Sequence, residues 1–486
     1  MSYQEELRAL ALLRSQRPQG ALQRINSLVE PQSFVELEAF CGEEASGEGL
    51  RAGYAVIDGR SVFIYAHEHD VLKGALGMNQ ARKLARLIDK AVSTGAPIIG
   101  IINSNGALLN EGLDAAEGYG LIIKAASKAS GKVPHIVILD GPAAGATALY
   151  AACADFVIVK KDASLSASPA GSVKADANAA LASGAAALYA EDEAQAASLV
   201  RGLLGFLPDN AHSPAETLYY DDINRLCPEL EEMAEQGSLD GRKIISSIAD
   251  NGVFMELYKE TAQDHIAGFI SLDGLSAGVI ACFGRISEMG ARKAKWLVNF
   301  CGAYNMPVVV LADSEGFVVS SEAEKNGLLS QAGGLAMALA SHPAPVISVI
   351  CGSAIGSAYI TLAAKGCADL VYAWAGAAIG LMTPKAQIAM HSEALKDSQD
   401  PLQDRKKLEE QFALEHMSAI EAAKGGYIDQ PIEPGYTRMH IIGALNALSG
   451  KRGISPFECL FPLGWLFVFR NGCQGMGHTF VPMLSG

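Results

Sequence analysis

The chain spells out one pattern twice, and this constrains its fold more than any other feature. The first pass reads Gly95-Ala96-Pro97, an Ile-rich run into Ser104-Asn105-Gly106, then Val133-Pro134, Ala144-Gly145-Ala146 and Ala154-Asp155. The second reads Asn305-Met306-Pro307, a Val-rich run into Ser314-Glu315-Gly316, then Ala344-Pro345, Ile355-Gly356-Ser357 and Ala368-Asp369. Gly106 and Gly316 lie 210 positions apart, and Gly145 and Gly356 lie 211 apart. Solenoid units recur every ~20–50 residues, so a period this long describes two copies of a domain. Within each copy, short runs that are apolar throughout read as strands buried on both faces of a parallel sheet. Their alternation with helical segments predicts an α/β fold.

The length agrees, since 486 residues exceed one average core. The expected division is an N-terminal half over 1–236, a C-terminal half over 237–450, and an unassigned tail over 451–486. A net charge of −15 leaves no basic surplus to displace counterions from a phosphate backbone, which excludes a nucleic-acid partner. The nine cysteines are odd in number and scattered, and no CxxC occurs. A disulfide framework and a four-cysteine zinc site are therefore not expected; reduced thiols in a cytoplasmic protein are. The start, Met1-Ser2-Tyr3-Gln4-Glu5-Glu6, is polar and acidic and does not read as a signal peptide. The apolar stretch 457–469 contains Glu458, Pro462 and Gly464 and is too short to span a bilayer. It reads as an element packed on a neighbouring subunit, or as a poorly ordered tail.

Periodicity places a helix near the N-terminus, with Leu7, Leu10, Leu12 and Leu13 as its apolar face and Pro18 as its stop. A hairpin follows, with strands over 53–59 and 61–66, then a helix over 79–93 that turns Leu84, Leu87, Ile88 and Ala91 inward. Strands are expected over 97–102, 135–139 and 156–160, with a helix over 117–127 and a turn over 141–145. An acidic-first helix over 191–204 opens the join between the copies. The second copy restarts at 268–274 and 291–304. Met417, Ile420, Pro431 and the stretch 437–448 fall in terminal helices and their connection.

The common nucleotide and zinc signatures are absent: there is no GxxxxGK[ST] or HExxH. His67 and His69 flank Glu68, which reads as a solvated strand end in preference to a metal site, so no metal is expected. Ser104 and Ser314 sit at matched turns without a nearby His–Asp pair, and read as turn-stabilising hydroxyls in preference to nucleophiles. Backbone chemistry remains. Gly145-Ala146 and Gly356-Ser357-Ala358 stand where a strand ends and a helix begins, where first-turn N–H groups lack intrahelical partners and can receive an oxyanion. Small side chains let a ligand approach the main chain, although they also permit close helix packing. Each site has a companion turn, Asn105-Gly106 or Glu315-Gly316. Two such pairs in register suit a reaction that develops two oxyanions.

Several motifs carry a resemblance. These are Gly95-Ala96-Pro97 into Ser104-Asn105-Gly106-Ala107, Glu111-Gly112, Tyr119-Gly120, Val133-Pro134 and Gly141-Pro142, followed by Glu315-Gly316-Phe317, Gly356 to Tyr359 and Tyr372-Ala373-Trp374. From about Ser33 to about Leu448 the chain resembles the carboxyltransferase subunits of biotin-dependent acyl-CoA carboxylases and decarboxylases. That resemblance implies a duplicated crotonase-like (ClpP/crotonase) ββα spiral fold, with an active site between the N-half of one subunit and the C-half of another. It implies transfer of a carboxyl group between biotin and the α-carbon of a short-chain acyl-CoA such as malonyl-CoA or methylmalonyl-CoA. Gly106, Gly145 and Ala146 would support one oxyanion, and Gly316, Gly356, Ser357 and Ala358 the other. The N-half would serve the thioester and the C-half biotin, or the reverse.

The family usually has S-G-G-A-R where this chain has Ser104 to Leu108, A-G-G at 144–146, P-G-F at 315–317 and Y-G-G-A at 355–358. Main-chain donors tolerate such side-chain changes. Ile360 stands where propionyl-CoA-type relatives often carry Asp, and is the expected substrate-pocket residue. No Ala-Met-Lys-Met occurs, so biotin is expected on a biotin carboxyl carrier protein. A biotin carboxylase or a membrane decarboxylase subunit would be a further partner, in a homo-oligomer built from dimers of half-sites, up to a hexamer. Two rivals stand beside this reading. One is a biotin-independent crotonase-type hydratase, isomerase or thioesterase using Glu111 or Asp114; the other is a catalytically degenerate scaffold subunit.

Overall fold

Each copy opens on an antiparallel hairpin and then turns parallel, because its later strands are apolar on both faces and are joined by crossover helices. In the computed structural model, which describes residues 2–40, 49–169, 172–173, 175–390 and 400–451, the two copies correspond strand for strand. The first contains β1 (Val35–Glu36), β2 (Leu50–Ile57), β3 (Arg60–His67), β4 (Ile98–Ser104), β5 (His135–Ala144), β6 (Phe156–Lys160), β7 (Ser164–Ser166) and β8 (Leu188–Ala190). The second contains β9 (Phe254–Leu257), β10 (His265–Leu272), β11 (Leu275–Phe283), β12 (Val308–Ser314), β13 (Val346–Ile355), β14 (Leu370–Trp374), β15 (Ala378–Gly380) and β16 (Gln430–Ile432). The first sheet runs β1-β2-β3-β4-β5-β6-β8, with β7 beside β5. The second runs β9-β10-β11-β12-β13-β14-β16, with β15 beside β13. Even the irregularities match, since the register slips between Ile102 and Ser104 in one copy and between Ala312 and Ser314 in the other.

Three expectations about the elements need correction. β5 continues through Gly141 and Pro142 to Ala144, so the turn expected over 141–145 narrows to Gly145; β7 pairs with this extension, Pro142 facing Ser164. Pro431 lies in β16 and not in a helical connection. The N-terminal segment forms two helices, Tyr3–Gln16 and Gly20–Leu28. The first buries none of its residues, leaving Leu7 and Leu12 exposed, while the second buries Ala21, Ile25 and Leu28. The tail stretch 457–469 lies outside the described residues.

One apolar cluster joins the two copies. The Phe156 ring packs edge-on against Phe269, Trp296 and Phe300, with centroids 6.1, 5.6 and 5.0 Å away. Main-chain bonds reinforce the seam, with Tyr258 N donating to Ala187 O at 2.8 Å. The connecting stretch leans on the second sheet: Thr217 N donates to Gly274 O at 2.8 Å, and Leu230 of helix Pro228–Gln236 is buried in that sheet's own core.

Burial also claims groups that the sequence pattern gives to solvent. Lys83 and Lys293, 210 positions apart on matched helices, are both buried. Lys83 Nζ donates to Leu50 O at 3.2 Å, and Lys293 Nζ to Tyr258 O at 2.8 Å and Thr261 O at 3.1 Å. His67 and Glu68 are buried too, which corrects the solvated reading of that strand end. His67 Nδ1 lies 2.9 Å from Gly74 O, and the Glu68 carboxylate accepts from Ala21 N at 2.9 Å. Among the described residues no group of three His, Cys, Asp or Glu side chains is placed to hold a metal ion.

The buried histidines set an acid limit on stability. Burial holds His67, His265 and His342 down to about 4, and His135 to about 3, from the usual 6.5. Between those values the unfolded chain binds protons that the fold does not, so stability falls as pH drops from 6.5 toward 4. Asp155, pushed up by burial to about 7, acts oppositely with one proton against four. A melting temperature clearly lower at pH 5 than at pH 7.5 is expected; an equal or higher value at pH 5 contradicts this account.

Candidate functional site

The matched turns share unusual backbone as well as position. Gly106 has φ 121° and Gly316 has φ 123°. Gly145 adopts φ 56°, ψ −124°, and Gly356 adopts φ 58°, ψ −124°. That last conformation is the mirror image of extended backbone and is costly for any L side chain. Ser104 pairs with Ala143 and Ser314 with Ala354, so the two turns of each copy are neighbours.

The glycine N–H groups are already engaged. Gly106 N donates to Ser104 Oγ at 3.2 Å and Gly316 N to Ser314 Oγ at 3.3 Å. Gly145 N donates to Ser166 O at 2.9 Å and Gly356 N to Gly380 O at 2.8 Å. The serines thus act as turn hydroxyls. The next N–H in each turn donates to no group among the described residues: those of Ala107 and Ala146 in the first copy, Phe317 and Ser357 in the second. Ala146 and Ser357 are the first residues of helices Ala146–Ala151 and Ser357–Leu362, where the intrahelical partner is missing. Ala107 and Phe317 are aimed by the carbonyl of the same peptide. Gly106 O accepts from Leu76 N at 3.2 Å and Gly316 O accepts from Ile286 N at 2.9 Å. A trans peptide directs its N–H away from its C=O, and no cis bond occurs among the described residues. Ala107 and Phe317 were missed in sequence, although each directly follows its turn glycine.

Around the second pair opens a groove of about 780 Å³, lined by Arg285, Gly316, Phe317, Gly356, Ser357 and Leu381 among others. Ala358 is fully buried behind it. Ile360 is 55% exposed and lines an adjoining, mainly apolar cleft of about 420 Å³ with Tyr359, Ile379 and Tyr427, sharing Gly356 and Leu381 with the groove. Beside the first pair, Leu109 and Leu113 stand 89% and 84% exposed, and Val319 beside the second is 87% exposed. Such apolar rims are what an acyl chain or a second subunit would cover. Glu111 is not a free base. Its carboxylate accepts from Met78 N at 2.6 Å and caps the helix Met78–Thr94, while Asp114 lies in the exposed first turn of its own helix.

Comparison with known proteins places this arrangement. The carboxyl transferase domain matches residues 15–458. The propionyl-CoA carboxylase carboxyltransferase subunit of Haloferax mediterranei is 31% identical, the alignment covering 90% of this chain and 91% of that protein. The methylmalonyl-CoA decarboxylase α subunit of Veillonella parvula is 32% identical, covering 89% and 90%. A transcarboxylase 12S crystal structure, described as a hexamer and bound to methylmalonyl-CoA, superposes with a TM-score of 0.85 at 29% identity over 93% of both chains. The fold is the duplicated crotonase-like spiral of the carboxyltransferases. The chain belongs to the carboxyl transferase domain family and stands among its acyl-CoA carboxyltransferases. Among the described residues no helix is long and apolar enough to cross a membrane.

Proposed function

We propose that the chain moves a carboxyl group between biotin, carried on a separate protein, and the α-carbon of a short-chain acyl-CoA. The observation that carries this reading is the repetition of one unclaimed N–H pair in both copies. In the first copy the N–H groups of Ala107 and Ala146 receive the thioester oxygen as the enolate forms, with Gly106 and Gly145 shaping the turns. In the second, Phe317 and Ser357 offer the matching pair, shaped by Gly316 and Gly356, and Ala358 fills the space behind it. The second-copy groove fits a biotin head group, having two unclaimed donors at its base and the apolar side chains of Phe317 and Leu381 beside them. Biotin, when delivered there, supplies the ureido nitrogen that carries the carboxyl group. No side-chain base is required of this chain, and the capping role of Glu111 weakens the hydratase reading. Each donor aimed at developing charge is worth about 3–4 kcal/mol of barrier.

Incubation with free biotin and malonyl-CoA or methylmalonyl-CoA should release CO2. Biotin-independent turnover would favour the hydratase-type reading, and no turnover would favour the scaffold. A biotin carrier, with a carboxylase or a decarboxylase subunit, completes the partner set, and the same half-reaction serves both directions. The six described cysteines are free thiols, which supports a cytoplasmic setting.

The exposed rims support a working unit of at least two chains, first-copy turns facing second-copy turns, with a hexamer as the larger assembly. An active monomer by sedimentation at assay concentration contradicts this. Ile360 at the neighbouring cleft bears on acyl selectivity. One methyl group is worth about 1–3 kcal/mol, so kcat/KM for acetyl/malonyl and propionyl/methylmalonyl pairs should agree within about two orders of magnitude. A strong preference for a long or aromatic acyl group would refute this pocket assignment.

A further inference from the structure

Behind the first-copy turns lies a cluster of three buried hydroxyls that has no full counterpart in the second copy. Gly106 N donates to Ser104 Oγ at 3.2 Å; Ser104 Oγ lies 3.1 Å from Thr147 Oγ1; Thr147 Oγ1 meets the Tyr119 hydroxyl; and that hydroxyl donates to Gly106 O at 3.1 Å. Ser104 and Thr147 are fully buried and Tyr119 is 3% exposed. The proton count closes. If Ser104 donates to Thr147, Thr147 to Tyr119 and Tyr119 to Gly106 O, each hydroxyl gives one bond and accepts one. The circuit begins on the N–H of Gly106 and ends on its carbonyl.

We infer that Tyr119 and Thr147 are positioning residues that lock the two first-copy donors, Ala107 N–H and Ala146 N–H, into one fixed geometry. The inference rests on the carboxyltransferase reading above and deepens it. Two links carry it. The Gly106 carbonyl held by Tyr119 belongs to the same peptide as the Ala107 N–H, so fixing one aims the other, and a donor on the carbonyl polarises that N–H. Thr147 directly follows Ala146, so the ring ties the helix start to the loop across 43 positions of chain. Burial pushes the Tyr119 phenol up to about 12, which keeps it a donor at working pH. In the second copy, among the described residues, Ser314 Oγ bonds only within its own turn, to Gly316 N and Gly316 O as Ser104 does to Gly106, and Ala358 stands 211 positions after Thr147 with no hydroxyl to offer. The first-copy site is clamped, and the second-copy turn and helix lack this tie.

Wild type, Tyr119→Phe, Thr147→Val and Thr147→Ser should be compared in biotin-dependent CO2 release from malonyl-CoA and methylmalonyl-CoA. Tyr119→Phe and Thr147→Val are expected to lower kcat about tenfold or more, with KM for the acyl-CoA within about threefold. Thr147→Ser, which restores the hydroxyl without the methyl, should return kcat to within about threefold of wild type. Amide hydrogen exchange over 104–108 reads the ring independently of turnover, and should quicken in both disabling variants and stay near wild type in Thr147→Ser. Wild-type kcat in folded Tyr119→Phe and Thr147→Val, or Thr147→Ser as impaired as Thr147→Val, overturns the inference, as does unchanged exchange. If Tyr119→Phe does not fold, the Val/Ser pair at 147 decides alone. An inactive wild type sinks the carboxyltransferase reading instead, while the exchange result still decides whether the ring holds the turn.

Discussion

Ala146→Pro is expected to lower turnover about 100-fold or more while leaving the fold intact. Proline removes the Ala146 N–H and puts its ring Cδ where that hydrogen pointed, so an incoming oxygen loses its donor and meets carbon in its place. Residue 146 is the first of its helix, where proline's fixed φ suits the chain and its missing N–H breaks no intrahelical bond. The residue before a proline avoids helical ψ, and Gly145 at φ 56°, ψ −124° meets that restriction in mirror image. The substitution therefore separates donor from scaffold better than a bulky replacement would. KM for the acyl-CoA should change much less than kcat, because on the proposed reading the donor matters most once charge has moved onto the thioester oxygen. Far-UV circular dichroism checks the fold, and a well-folded variant with full turnover would mean that this turn only packs.

The largest stability effect is expected at Arg438. Its guanidinium is completely buried and pairs with the equally buried Asp250 at 2.5 Å, with a further bond to Ile248 O at 2.7 Å. Asp250 in turn accepts from Ser271 Oγ at 2.7 Å and Gly274 N at 3.0 Å, so the pair pins the C-terminal helix Thr437–Ala447 to the β10–β11 hairpin. Arg438→Leu leaves a carboxylate in the core without its counter-charge, and should cost about 3–5 kcal/mol. Adding Asp250→Asn should recover part of that loss, since the stranded charge disappears. Urea unfolding of the three proteins tests this, and a single variant within about 1 kcal/mol of wild type would show that solvent reaches the site.

Much of this architecture could be read from the sequence, because the two sheets rest on runs such as 98–102 and 308–312 whose apolar character leaves few alternatives. The 210-residue offset carried the rest, down to the turn glycines. What escaped was long-range. Gly141-Pro142 has the chemistry of a turn, yet it continues β5 because β7 arrives from 22 residues later to pair with it. Lys83 and Lys293 look solvent-bound by type, and their burial is made tolerable by groups distant in sequence, Leu50 O and the Glu36 carboxylate for Lys83 and Tyr258 O for Lys293. The candidate site divides the same way. Its positions were legible, but which N–H stays unclaimed was not, because the partners of Gly145 and Gly356 are Ser166 O and Gly380 O, 21 and 24 residues away.

The engaged carbonyls of Gly106 and Gly316 have a thermodynamic consequence for the proposed carboxyl transfer. In water, a charge that develops on an oxygen must wait for solvent dipoles to rotate toward it, and that rotation is part of the barrier. Here the peptide dipoles of Ala107 and Phe317 cannot rotate freely, because the carbonyl on the far side of each peptide is already bonded to Leu76 N or Ile286 N. On the proposed reading, the orientation that solvent would have to reach anew in every catalytic cycle is reached once, when the chain folds, and persists between cycles.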